Sequence, residues 1–141
     1  MITEERSPGL DPLNDVSTLT ILSTARAVRT AREYVVRWFT ARGYASSLIQ
    51  DARLVTSELV TNAYVHANGR QRIHVHLYDS DAGPVIEVWD SSSQRPAPGD
   101  LADTDAENGR GLATVAALAA AWGVNPLAGG GKAVYAVLAV P

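Results

Sequence analysis

The sequence predicts an α+β chain: a two-layer α/β sandwich in which a mostly antiparallel sheet is covered on one face by about three helices. Three observations carry that prediction. Residues 24–42 and 48–67 place apolar side chains at helical spacing. Residues 72–78 with 85–90, and 124–127 with 132–140, are β-type runs joined by glycine-containing turns, which is the pattern of antiparallel hairpins. Between the hairpins an Ala-rich stretch running from Gly109 through Trp122 reads as a third helix. At 141 residues and 46% hydrophobic content the chain can bury about two-thirds of its unfolded surface, enough for one core.

Composition narrows the function classes. There is no cysteine, so neither disulfides nor thiolate metal sites are available, and the expected compartment is a reducing cytoplasm. The longest apolar run, residues 112–124, is too short to span a bilayer, and no secretory stretch opens the chain, so no membrane role is expected. A net charge of −3 argues against a general nucleic-acid binder, which would show a basic stripe.

The elements follow in order. Residues 1–17, with Pro8, Gly9 and Pro12 among scattered charges, show no periodicity and read as a mobile leader, leaving 18–141 as a single domain. Residues 18–22 are β-branched and apolar, a short strand at the edge of the sheet. In the helix over 24–42 the apolar set is Ala27, Val28, Ala31, Tyr34, Val35, Trp38 and Phe39, and Gly43 ends it. Arg26, Arg29, Arg32 and Arg37 lie mostly outside that set, as a solvated face or as a face able to dock an acidic partner.

The helix over 48–67 departs from ordinary amphipathicity. On a wheel of roughly 100° per residue, Gln50, Arg53, Ser57, Thr61 and Tyr64 share the solvent side. The wider arc holds Leu48, Ala52, Leu54, Val55, Leu59, Ala63 and Val65, and within it lie Glu58 and Asn62. These two are four residues apart, so they stack on adjacent turns and point the same way. A carboxylate on a buried face is costly without partners, which implies a pocket, a metal or a partner. The alternative is an internal hydrogen-bond pair, or long side chains at a helix edge reaching water.

Asn68-Gly69 stops that helix, and residues 72–78 alternate, with Ile73, Val75 and Leu77 on one face and His74, His76 and Tyr78 on the other. The two histidines could share a metal, but no third ligand is near in sequence, and ordinary surface histidines are the simpler reading. After the DSDAGP turn, Ile86, Val88 and Asp90 share parity, so Asp90 is carried inward at the strand end unless it merely begins the next loop. Residues 91–108 are polar, aperiodic and longer than most structural loops, as lids and binding elements are. They run into Gly109-Arg110-Gly111-Leu112 at a helix N-terminus, where backbone N–H groups, the helix dipole and a guanidinium suit a phosphate; a flexible hinge is the plainer alternative.

The order of helix with E-x-x-x-N, hairpin ending in Asp, polar loop, GRG, helix and hairpin resembles the ATP-binding domain shared by histidine kinases, the Hsp90 and gyrase ATPases and the bacterial anti-sigma-factor serine kinases. The likeness covers residues 19–140 and is closest to the short stand-alone kinases of actinobacteria. It implies the Bergerat ATP-binding fold and binding of ATP with Mg²⁺. On the helix motif SELVTNAYVHA it implies that Glu58 is the general base and that Asn62 gives Mg²⁺ an oxygen ligand, a sensible share for a hard cation that keeps waters and phosphates. Asp90 would read the exocyclic amine of adenine, Gly109, Arg110, Gly111 and Leu112 would hold the phosphates, and residues 91–108 would be the lid. Two positions depart from the family: Ser92 replaces a glycine often found two residues after the aspartate, and Ala133 follows Lys132 where a threonine is common near the adenine.

The activity this implies is a serine/threonine protein kinase that phosphorylates an anti-sigma antagonist and binds a sigma factor, with no direct contact to nucleic acid. The edge strand over 18–22 would offer a surface for a homodimer. The competing reading is a nucleotide-binding module that sequesters a partner without turnover. A detached half of a histidine kinase fits less well, because none of His66, His74 or His76 is followed by the acidic residue typical of a phospho-acceptor.

Overall fold

The computed structural model describes residues 10–66, 71–91 and 107–140. In chain order the elements are β1 (Ser17–Leu22), α1 (Ala27–Ala41), α2 (Ser46–His66), β2 (Arg72–Ser80), β3 (Gly83–Asp90), α3 (Glu107–Leu118), β4 (Ala119–Pro126) and β5 (Lys132–Leu138). The five strands form one antiparallel sheet in the order β1-β2-β3-β5-β4. This is the α+β two-layer architecture that the hydrophobic patterning predicts.

The core forms where helix and strand periodicities meet. Ala27, Ala31, Val35 and Phe39 are buried at three- and four-residue spacing on α1, and Ala52, Val55, Leu59 and Ala63 on α2. They meet Ile73, Val75 and Leu77 of β2, Ile86 and Val88 of β3, and Val134, Ala136 and Leu138 of β5. Each strand therefore turns one parity of its side chains toward the helices. Truncating Phe39, which has no exposed surface, to Ala would cost about 3–5 kcal/mol.

A smaller cluster lies on the opposite face of the sheet, where Leu10 packs with Tyr78, Val85 and Val137. Residues 10–16 belong to the stretch that the sequence marks as leader, and here they lie along the end of β2. Leu13 N–H donates to the Asp79 carbonyl at 2.8 Å, and the Asn14 amide donates to the Asp79 carboxylate at 3.2 Å. Residues 1–9 lie outside the described residues.

Three local expectations are corrected. The Ala-rich helix ends at Leu118 rather than at Trp122, because Ala119–Pro126 pairs along β5 as β4. Ladder pairing with β5 outweighs alanine's helix preference there. The first hairpin has a two-residue turn: Ser80 pairs with Gly83, whose φ of 127° takes up the twist, so the strands are longer than the apolar run suggests. Leu54, expected in the buried arc of α2, is 51% exposed, while Thr56 and Val60 are fully buried. The buried arc is thus rotated away from Leu54, and Thr56 is tolerated in it because its hydroxyl donates to the Ala52 carbonyl at 2.7 Å.

Candidate active site

Register gathers the conspicuous polar residues at one end of the sandwich. α2 finishes at His66, and five residues separate it from Arg72, where β2 begins. β2 and β3 are antiparallel with His74 opposite Trp89, so the start of β2 and the end of β3 are level. β5 begins at Lys132, opposite Asp90. α3 leads directly into Ala119, which pairs with Leu138 at the far end of β5. Its 12 residues, about 18 Å of helix, therefore run away from the end that holds Asp90, and its N-terminus points back to it. α2 packs against α3, β3 and β5, which brings its C-terminal half over this end.

Asn62 is the clearest irregularity. It is 4% exposed, and among the described residues neither its Oδ1 nor its Nδ2 has a hydrogen-bond partner. Two other polar side chains of α2 are bonded back onto the helix, Thr56 to the Ala52 carbonyl and Ser57 to the Arg53 carbonyl at 3.0 Å. An unpaired buried amide costs about 1–3 kcal/mol, so its retention calls for a ligand. Glu58, one turn earlier, is half-buried, and burial pushes its carboxyl pKa up. A base that is poorly solvated and close to an open polar site is suited to take or orient a proton.

Asp90 is carried inward, as its parity with Ile86 and Val88 requires. Lys132 Nζ lies 3.1 Å from its Oδ1 and 3.0 Å from its Oδ2, and each side chain is only 1% exposed. Sequence reading passed over Lys132. Its signal is its place as the first strand residue after Gly129-Gly130-Gly131, in register with a strand-end carboxylate. Gly131 is required at that junction: its φ is 85°, and a Cβ there would lie 2.3 Å from the Asp90 carbonyl oxygen.

The remaining expected residues divide. Leu112 is buried on α3, and the backbone of Gly109, Arg110 and Gly111 lies inside the first turns of α3, which starts at Glu107 rather than after a loop ending at Asn108. The first four N–H groups of a helix have no partner within it, so this end of α3 still presents donors to an anion. Ala133 does not join the group. It pairs with Trp89, so its side chain leaves the sheet on the face opposite to Asp90, and the residue across from Asp90 is Lys132. Ser92 and the rest of the lid stretch to residue 106 lie outside the described residues. His74 and His76 sit on that opposite face with their Nδ1 atoms 3.0 and 3.2 Å from the hydroxyls of Thr20 and Thr18. Among the described residues no three His, Cys, Asp or Glu side chains cluster as a metal site.

A five-stranded antiparallel sheet in this order, with its helices packed on one face, defines a two-layer α+β sandwich. The chain belongs to the histidine kinase-like ATPase domain family, whose model matches residues 21–138. The fold is similar to that in the crystal structure of the RsbU and RsbW domains of Rv1364c from Mycobacterium tuberculosis, with a TM-score of 0.67 and 23% identity. That match takes in 90% of this chain and 33% of the other, so the chain spans about a third of that protein's resolved length. No curated protein matches it.

Proposed function

We propose that this chain binds ATP with Mg²⁺ at the end of the sandwich where α2, β3, β5 and the start of α3 meet, and that it is a serine/threonine protein kinase acting on an anti-sigma antagonist. The observation that carries the reading is the buried, unpartnered carboxamide of Asn62 one turn from Glu58. Its oxygen suits a hard cation that also binds phosphates, and the bound metal would neutralise charge on the transferring phosphoryl group. Glu58 would orient a substrate hydroxyl and accept its proton. The N-terminus of α3, with Gly109, Arg110 and Gly111, would receive the phosphates, and Leu112 would help seat that helix against the core. Asp90 would read the exocyclic amine of adenine. Phosphoryl transfer asks mainly for positioning and charge neutralisation, and these groups offer both.

A second reading is a nucleotide-binding module that holds a regulatory partner without turnover; in both readings an adenine amine would have to compete with the Lys132 ammonium that engages the Asp90 carboxylate.

Calorimetric titration of ATP with and without Mg²⁺, followed by a phosphoryl-transfer assay on Glu58→Gln, separates the readings. The kinase predicts Mg²⁺-dependent binding that Asn62→Ala weakens tenfold or more, roughly 1.4 kcal/mol, and transfer lost in Glu58→Gln with binding kept. Wild-type binding with no transfer to any serine-bearing substrate supports the sequestering module. No heat and no protection from unfolding by ATP removes both.

A further inference from the structure

The outer side of the helical layer carries a feature that the nucleotide site does not use. α1 and α2 leave between them an open groove of about 530 Å³, which continues as a second hollow of about 330 Å³ farther along α2. Arg29, Arg32 and Arg37 line it from α1, and Arg53 from α2. Four of the chain's 12 basic residues thus face one groove in a protein of net charge −3, so the charge is concentrated against the overall balance. The carboxylate in the groove, Glu33, meets Arg29 at 3.8 Å with both side chains largely exposed, a pair too solvated to neutralise the patch.

The floor of the groove is apolar. Val36 and Ile49 line it, and Leu54, 51% exposed, lines the continuation. The lining spans residues 29–37 on α1 and 49–57 on α2. Eight steps along a helix are about 12 Å, a little over two turns. Guanidinium groups on both walls above an aliphatic floor of that length match an amphipathic helix that lays its apolar stripe inward and its carboxylates outward. A nucleic-acid backbone fits less well, since it would meet arginines on the rim but leave the aliphatic floor unmatched.

We infer that the α1–α2 groove, through Arg29, Arg32, Arg37, Arg53 and Leu54, docks an acidic amphipathic helix of a protein partner. The lining falls in the N-terminal half of α2, whereas Asn62 lies in its C-terminal half, so the inference does not rest on the nucleotide reading. Guanidinium forks take carboxylates in bidentate pairs, and Leu54 supplies an apolar contact that water now covers. Electrostatic steering would make the association fast and salt-dependent.

The test uses the full chain without nucleotide and a fluorescein-labelled synthetic helix of about four turns, bearing leucines at three- and four-residue spacing flanked by glutamates. Fluorescence polarisation should show saturable binding that weakens tenfold or more in Arg32→Glu/Arg53→Glu and falls with salt. Leu54→Ser should weaken it at unchanged charge. A peptide with lysines in place of the glutamates should bind the doubly reversed variant better than wild type, a rescue that misfolding cannot produce. Arg29→Glu/Arg37→Glu, at exposed positions, repeats the charge test without touching half-buried Arg32. Failure of the acidic helix to bind wild type overturns the inference. So does equal binding of a scrambled peptide of the same composition, or displacement by an oligonucleotide at lower concentration than by unlabelled peptide, which would mark a general polyanion surface.

Discussion

Lys132 and Asp90 form a buried ion pair across β5 and β3, with Nζ 3.1 Å from Oδ1 and 3.0 Å from Oδ2. A lysine needs such a partner to remain charged out of water, and a carboxylate held this way is fixed in position. Lys132→Met should destabilise the fold by about 3–5 kcal/mol, because it removes the cation paired with a buried carboxylate. Replacing both residues with apolar ones of similar volume should recover most of that loss, and urea denaturation of the two single variants and the double completes the cycle.

Asn62→Ala should behave in the opposite way. Among the described residues the wild-type amide has no hydrogen-bond partner, so its removal should leave stability unchanged or raise it by up to about 3 kcal/mol. The increase in melting temperature produced by saturating ATP and Mg²⁺ should disappear in the same variant. A large loss of stability without ligand would instead mean that Asn62 is structural.

Glu58 gives a pH signature. Burial raises its carboxyl pKa above the ordinary value of 4.5, so the folded state holds the proton more tightly than the unfolded chain. The stability this adds is full below the unfolded pKa and is lost as pH rises through the folded one. Melts of wild type and Glu58→Gln across mildly acid to neutral pH should therefore diverge, the variant gaining relative stability as the pH rises. Parallel curves would show that the carboxyl is solvated.

At the other end of the sandwich, Asp79 accepts from Tyr44 at 2.5 Å and pairs with Arg42 at 3.0 Å, while the Arg42 guanidinium lies 4.3 Å above the Trp38 ring. Burial, chiefly, and the Asp79 carboxylate push the Tyr44 pKa up to about 12. Asp79→Ala should cost about 1.5–3 kcal/mol in urea denaturation. In spectrophotometric titration, one tyrosine should return toward its ordinary pKa.

Gly131→Ala should be strongly damaging for so small a substitution. It combines a φ of 85° with a Cβ 2.3 Å from the Asp90 carbonyl. Strain and displacement of the strand end should together cost about 2 kcal/mol or more, read by thermal melting, whereas Gly43→Ala, with a φ of 77° and open space around its Cβ, should cost less.

These residues also show what a sequence makes legible. The helices and hairpins could be read because burial imposes periods of 3.6 and 2 on the order of apolar residues along the chain. Glu58 and Asn62 could be read because polar groups interrupt an apolar arc. Asp90 followed from parity along a single strand. The role of Lys132 could not be read, because it depends on β3 lying beside β5, a pairing across 42 residues that local pattern does not encode. The same non-local pairing converted the end of the Ala-rich stretch into β4 and sent the side chain of Ala133 to the other face. Leu54 was misplaced for a related reason: wheel geometry gives a face, while the angle at which α1 meets α2 decides where that face ends.

The strand order has a consequence for how the chain matures. Of the five strands β5 comes last in chain order, yet it lies between β3 and β4, so this sheet closes only when that segment slides into an interior position. A nascent chain lacking that segment would hold β1, β2 and β3 with the ladder groups of β3 unsatisfied, an adhesive edge while translation continues. Asp90 would meanwhile lack its cation. Closure by β5 seals that edge and neutralises Asp90 in one event, so the end of the sandwich proposed to receive the nucleotide should be assembled last.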